Sequence, residues 1–183
     1  MTIYYVRHGQ TFHNRDGKWN GFVDSILTGK GVKQAYDLGQ KVLDTNFDLV
    51  FCSPLLRARQ TTEIILSARP LKDRPDISTD SRIMEYWCGD LEEFLWDDVF
   101  EKDFFGERKL YDYSTAETML SIENRIKSFF DELSSSYKGK NILVVAHGGI
   151  GRVVNAYFHG KPKSGFYYDS PEMKNCELIK FTI

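Results

Sequence analysis

The run Asn141-Ile142-Leu143-Val144-Val145-Ala146 constrains the fold of this chain more than any other stretch. An unbroken apolar strand has no polar face to turn to water, so both its faces must be covered. That is the situation of a central strand in a parallel sheet with helices on either side. The run ends in His147-Gly148-Gly149, and the residues from Gly149 to Val154 read as the start of a helix. The same order opens the chain. Residues 3–6 are β-branched and aromatic, a short buried strand, and Arg7, His8 and Gly9 follow it. Ligands in open α/β sheets sit at the carboxyl ends of the strands, so the two histidines are expected to face each other on one sheet edge. Arg7 offers a planar fork of donors for an anion, and His8 a nitrogen nucleophile if it is held neutral. The tripeptide alone fits a structural His-Arg pair as well as a catalytic one.

The remaining segments supply the helices and two further strands. Residues 13–21 are polar and glycine-punctuated and read as a loop placed, after a strand-end histidine, to line a pocket. A solvated connection is the preferred reading for Arg15, Asp16 and Lys18, and His13 is a loop histidine. Thr28 is a candidate N-cap for a helix whose apolar face is Val32, Ala35, Tyr36, Gly39, Val42 and Leu43. Residues 48–52 form a strand. Ser53-Pro54 then suits an N-cap and first helical position, which puts Arg57 in the first turn of the following helix. A helix start favours anions and disfavours cations. An arginine there is either a surface residue or a second donor fork at an anion site. Residues 77–79 are a weaker strand. Glu85 sits among Ile83, Met84, Tyr86 and Trp87. It is either a carboxyl whose pKa is raised by desolvation or a salt-bridged surface glutamate. Ser114-Thr115-Ala116-Glu117 has the form of a capping box. It would open a helix with Met119, Ile122, Ile126, Phe129, Phe130 and Leu133 on its apolar face. Residues 176–181 are a last strand. Residues 94–113 mix aromatic and acidic side chains without a clean period, which suits a lid over the site or a partner surface.

With 183 residues the chain has room for one domain with a full core. A formal net charge of -2 gives no field that calls for nucleic acid or an anionic membrane. No apolar run is long enough to span a bilayer, and the first residues lack the basic and apolar regions of a signal peptide. Cys52, Cys88 and Cys176 are too scattered for a metal box or a disulfide framework. The cytoplasm is the expected compartment.

Taken in order, several blocks resemble the histidine phosphatase superfamily, also called the phosphoglycerate mutase-like family, over nearly the whole chain. They are Arg7-His8-Gly9-Gln10-Thr11 with Asn14, Asn20-Gly21, the pattern Asp-x-x-Leu-Thr-x-x-Gly over residues 24–31, and Ser53-Pro54-Leu55-Leu56-Arg57-Ala58. Glu85 with Gly89 and Glu92, and Val145-Ala146-His147-Gly148-Gly149, complete the set. The resemblance implies an α/β fold, a three-layer α/β/α sandwich with a mostly parallel central sheet. It would form a single domain over residues 1–183 with a short lid-like insertion at about 94–113. It implies that His8 is the nucleophile and becomes phosphohistidine. Arg7, Arg57 and His147 would hold the transferring phosphoryl group, and Glu85 would be general acid and then base. Gln10, Asn14, Asn20, Gly21 and Gly148 are the candidate substrate-binding residues. No metal and no cofactor is expected, because two arginines and helix-start amides already supply positive potential.

Three departures bear on the reaction. Tyr86 follows Glu85, where the true mutases of the family carry an arginine. Arg108-Lys109 is the nearest basic pair to the one those mutases keep in a longer insertion. Glu93 stands where many relatives have glycine. Hydrolysis of a small phosphorylated metabolite is therefore the leading expectation, with a phosphoglycerate mutase and a non-catalytic phosphate-binding module as alternatives. The acidic and aromatic insertion leads to a further expectation. It should repel a multiply charged acid and suit a less charged, partly apolar substrate.

Overall fold

The strand β4 (Asn141–Ala146) lies in the middle of a five-stranded sheet, as its unbroken apolar sequence requires. The computed structural model describes residues 1–92, 98–108, 110 and 112–182, and for residues 98–100 the backbone alone. The strands are β1 (Thr2–Arg7), β2 (Leu49–Cys52), β3 (Ile77–Thr79), β4 and β5 (Leu178–Thr182), in the spatial order β3-β2-β4-β1-β5. All neighbours pair parallel except β5, which runs antiparallel to β1 along one edge. Arg7 stands opposite Ala146 in the β1–β4 register, so the chain leaves both strands at the same level.

The helices are α1 (Phe12–Arg15), α2 (Gly29–Lys41), α3 (Leu56–Ser67), α4 (Asp98–Phe104), α5 (Met119–Ser136) and α6 (Gly148–His159). Alternation along the strands divides the interior in two. Ile3 and Tyr5 of β1, with Ile142, Val144 and Ala146 of β4, pack with Ile122, Ile126, Phe129 and Ile150 from α5 and α6. Val6, Leu143 and Val145 face the other way and pack with Ala35, Leu38, Ala58 and Ile65 from α2 and α3. Helices thus cover both faces of a mostly parallel sheet, the three-layer arrangement that the sequence leads one to expect.

Four local expectations are corrected. The polar stretch after Thr11 holds the short helix α1, because the Thr11 hydroxyl and the Asn14 amide cap each other's backbone N–H groups. On α2 the buried face is Gly31, Ala35, Leu38 and Gly39, while Val32, Tyr36 and Leu43 are exposed. Helix α3 begins at Leu56 rather than at Pro54, and its N-cap Leu55 makes no side-chain bond. Helix α5 is capped by Thr118, whose hydroxyl accepts the Ser121 N–H, and not by the residues at 114–117. Glu117 instead forms a salt bridge with Arg125.

Candidate active site

Strand parity brings the two histidines together. His8 follows Arg7, and His147 follows Ala146, one residue beyond the paired ends of β1 and β4. Both therefore continue toward the α2–α3 side, and their rings meet edge to face with centroids 5.2 Å apart. The His8 Nδ1 lies 2.8 Å from its neighbour's carbonyl oxygen, that of Gly9. A carbonyl only accepts, so in the neutral ring Nδ1 carries the hydrogen and Nε2 keeps its lone pair. Burial holds the His8 pKa well below the usual histidine value, helped by the nearby Arg57 and Arg7 charges. The His8 backbone is pinned from both sides. Its N–H donates to the Ala146 carbonyl (3.0 Å) and its own carbonyl accepts from Asn175 Nδ2 (2.9 Å).

Arg57 and His147 have no exposed surface. The Arg57 Nε donates to His147 Nδ1 (3.2 Å), Nη1 to the Val23 carbonyl (3.1 Å), and Nη2 to the carbonyls of Asn20 (2.7 Å) and Gly21 (2.6 Å). Burial lowers the Arg57 pKa to about 10, which leaves it cationic at neutral pH. Because Arg57 can only donate, the other ring nitrogen of neutral His147 carries the hydrogen and gives it to Ser53 Oγ at 2.7 Å. His147 is also held well below the usual histidine pKa, first by burial and then by the Arg57 charge. Ser53, expected as a helix cap, orients this ring and also accepts the Leu55 N–H (3.3 Å) ahead of α3. Arg57 and His147 are thus fully buried next to His8.

Arg7 reaches the α6 side. Its Nη1 donates to the Met173 carbonyl (2.6 Å) and pairs with Glu172 (3.2 Å), while its Nε is buried without a partner among the described residues. A Cβ at position 148 would stand 2.7 Å from that Nε, so only glycine lets the start of α6 approach the guanidinium. Gly21 answers a similar need, since a Cβ there would run into the Glu92 carboxylate.

Glu85 is nearly buried, and its carboxylate accepts backbone N–H groups from Gly149 (3.0 Å), Ile150 (2.9 Å) and Tyr86 (3.2 Å). It caps the open N-terminus of α6 from outside that helix. Burial raises its pKa, although Arg57 and the three N–H groups oppose the shift. Its backbone is clamped by Arg125 of α5. Nη1 donates to the carbonyls of Arg82 (2.6 Å) and Met84 (2.7 Å), and Nη2 to that of Glu85 (3.3 Å).

The cavity at this edge has a volume of about 500 Å³. Its wall includes Arg7, His8, Gln10, Asn14, Asn20 and Glu85, all expected from the sequence, whereas Gly21 and Gly148 are set back from it. Gln34, Glu172, Lys174 and Asn175 also line it and carried no sequence signal for a site. So does Lys18, whose loop the sequence places at a pocket while leaving the residue itself solvated. Tyr86 forms one wall, stacked on Phe104 (4.3 Å between centroids) and packed against Trp19 (4.8 Å). The insertion therefore supplies buried support here through Phe104 and Phe105, while Glu93 and residues 94–97 lie outside the described residues. Among the described residues, no group of three or more His, Cys, Asp or Glu is arranged to hold a metal ion, and no helix is long and apolar enough to cross a membrane.

Comparison with known proteins adds a lineage to this geometry. The family described as the histidine phosphatase superfamily (branch 1) matches residues 3–183. The adenosylcobalamin/alpha-ribazole phosphatase of Escherichia coli is 29% identical over 176 residues, which cover 92% of this chain and 84% of that protein. The probable phosphoglycerate mutase GpmB of Erwinia tasmaniensis is 32% identical over 186 residues, covering 98% of this chain and 84% of that protein. Among solved structures, the alpha-ribazole phosphatase from Shigella flexneri superposes with a TM-score of 0.82 at 26% identity, covering 100% of this chain and 91% of that one.

Proposed function

The chain belongs to the histidine phosphatase superfamily, branch 1, and from that premise we propose that it is a phosphomonoesterase acting through a phosphohistidine on His8. The observation that carries the reading is the Nδ1 contact with the Gly9 carbonyl, which leaves Nε2 as the free nucleophile of a buried, neutral ring. In the first step Nε2 attacks phosphorus, the bond to the leaving oxygen breaks, and protonated Glu85 gives that oxygen its proton. In the second, water attacks phosphorus, Glu85 takes the water's proton, and the phosphorus–nitrogen bond breaks to release inorganic phosphate. His8 and Glu85 return to their starting states. The raised pKa of Glu85 supports the acid role at the outset.

Charge stabilisation carries most of the barrier lowering in phosphoryl transfer. The Arg7 Nε, without a partner among the described residues, is the donor we assign to the transferring group, and the dipole of α6 adds positive potential beside it. Arg57 acts by its buried charge and by holding the carbonyls at residues 20, 21 and 23 in place. His147 keeps the Arg57 head oriented. Gln10, Asn14 and Asn20 contact the substrate, with Gly21 and Gly148 permitting the close approaches behind it. We take residues 1–183 as one catalytic domain, with the segment around α4 closing over the site. The unpaired thiols of Cys52, Cys88 and Cys176 suit action in the cytoplasm.

The test is a rapid quench after brief mixing with a phosphate-labelled substrate. Acid-labile, base-stable label should appear on His8 and be absent from His8→Ala, whose turnover should vanish. Label on a serine or an aspartate would overturn the mechanism. The similarity to a probable phosphoglycerate mutase keeps a second reading open. Incubation with 3-phosphoglycerate and a trace of 2,3-bisphosphoglycerate separates the two. The phosphatase releases inorganic phosphate, and rapid 2-phosphoglycerate formation without it would promote the mutase.

A further inference from the structure

We infer that the cavity takes a phosphorylated compound with a second anionic group on its leaving half, held at the mouth by Lys18 and Lys174. The inference rests on the phosphatase reading above. Two acids of the insertion, Glu101 and Asp103, do not oppose it. Glu101 is buried against Arg152, with Nε at 3.1 Å and Nη2 at 2.5 Å. Asp103 is buried as well, accepting from Tyr113 Oη (2.8 Å) and the Leu110 N–H (3.0 Å). Neither lines the cavity.

Among the described residues, the charges that do line it leave a positive remainder. Glu85 is held by the first amides of α6, and Glu172 is paired with Arg7. Lys18 and Lys174 make no salt bridge among the described residues, although the Lys18 charge acts on nearby Asp16, itself bonded to Arg15, and both lysines line the cavity. Their positions relative to His8 are set by the backbone. Lys174 immediately precedes Asn175, whose amide donates to the His8 carbonyl. The Lys18 N–H donates to the His13 carbonyl (2.9 Å) in α1, the helix that carries Asn14. One lysine thus hangs from each of two segments that approach each other where Asn175 reaches Asn14 at 3.5 Å. A phosphoryl dianion already has the Arg7 Nε, the charge of Arg57 and the dipole of α6. Two further ammonium groups on the wall suit a carboxylate or a second phosphate at the other end of the substrate.

Competition against nitrophenyl phosphate hydrolysis tests this with two near-isosteric ligands, 3-phosphoglycerate and glycerol 3-phosphate, which differ by a carboxylate in place of a hydroxymethyl group. The acid should inhibit more tightly, by roughly threefold to tenfold for two exposed charges, and the ratio should shrink as salt rises. Lys18→Ala with Lys174→Ala should bring the ratio of inhibition constants toward one, and the two Lys→Arg replacements should keep it. Equal inhibition in the unaltered protein, or a ratio that survives both alanines, overturns the inference. If nitrophenyl phosphate were not hydrolysed at all, the phosphatase reading would fall by itself. Calorimetric titration of the same two ligands would then still decide the lysines by the same ratio.

Discussion

At the scale of single residues, the site depends on keeping proton carriers in opposite states. His8 must be neutral to attack, and Glu85 must be protonated to release the leaving group. Burial drives both, since it disfavours the charged form of each, lowering the histidine pKa and raising the carboxyl. Activity on alkyl phosphates should therefore fall as pH rises through the elevated pKa of Glu85. It should stay level on the acid side until the depressed pKa of His8 is reached. Glu85→Gln should remove the alkaline limb and slow alkyl phosphates by about two to four orders of magnitude. Nitrophenyl phosphate, whose leaving group needs little protonation, should lose far less. A pH–rate profile for both substrates checks this, and equal losses would assign Glu85 a binding or structural role. The sequence places Glu85 among apolar neighbours and so makes the raised pKa legible. The three N–H groups that orient its carboxylate were not, because two of them come from α6, more than sixty positions away.

At the scale of elements, α5 does more than cover the sheet. Its Arg125 is tied on one side to Glu117, at 2.9 Å and 3.0 Å, and on the other to the carbonyls that lead into Glu85. That makes Arg125 a positioning residue for the proton donor. Arg125→Ala should cost about 2–4 kcal/mol of stability by leaving a partly buried carboxylate and several carbonyls unmatched. It should also reproduce the Glu85→Gln signature in part, slowing alkyl phosphates more than aryl ones. Unfolding by denaturant together with the alkyl-to-aryl rate ratio measures both effects. A loss of stability with an unchanged ratio would reduce Arg125 to a structural tie. The apolar face of α5 was readable from its period, since Ile122, Ile126, Phe129, Phe130 and Leu133 are all buried. Arg125 was not, because an arginine on the polar side of a helix looks the same whether it meets water or a loop. The face of α2 was misread for a related reason. Val32 and Tyr36 fit the helical period, but α3 packs on the neighbouring stripe, with Gly39 against the backbone of Ile65.

At the scale of the whole molecule, the buried site links stability to pH. For His8 and His147 the folded pKa lies below the unfolded one, so the unfolded chain binds more protons between the two values. Their contribution is full above about pH 6.5 and is lost as pH falls toward the folded pKa. Glu85 has the opposite sign. Its folded pKa is raised, so its contribution is full below about 4.5 and is lost as pH rises toward the folded value. Melting temperatures at pH 7.5 and 5.5 should therefore show a drop on acidification that shrinks in His147→Gln and steepens in Glu85→Gln. A drop identical in all three proteins would detach these groups from the linkage. What the sequence determined by itself was the layered sheet, the strand-end positions of His8 and His147 and the glycines that follow them. Strand and helix periods, and the register of an apolar run, are local properties that survive any detail of packing. Tertiary structure alone decided that Arg57 and His147 are buried against each other beside the nucleophile. It also decided that Ser53 and Arg125 orient the machinery, that residues 172–175 close one wall, and that Glu101 and Asp103 turn inward while Lys18 and Lys174 face the cavity. Each of those outcomes depends on which distant backbone or side chain fills a hydrogen bond. That choice is made only when the layers pack, because a buried polar group must take whatever partner the packing brings within reach.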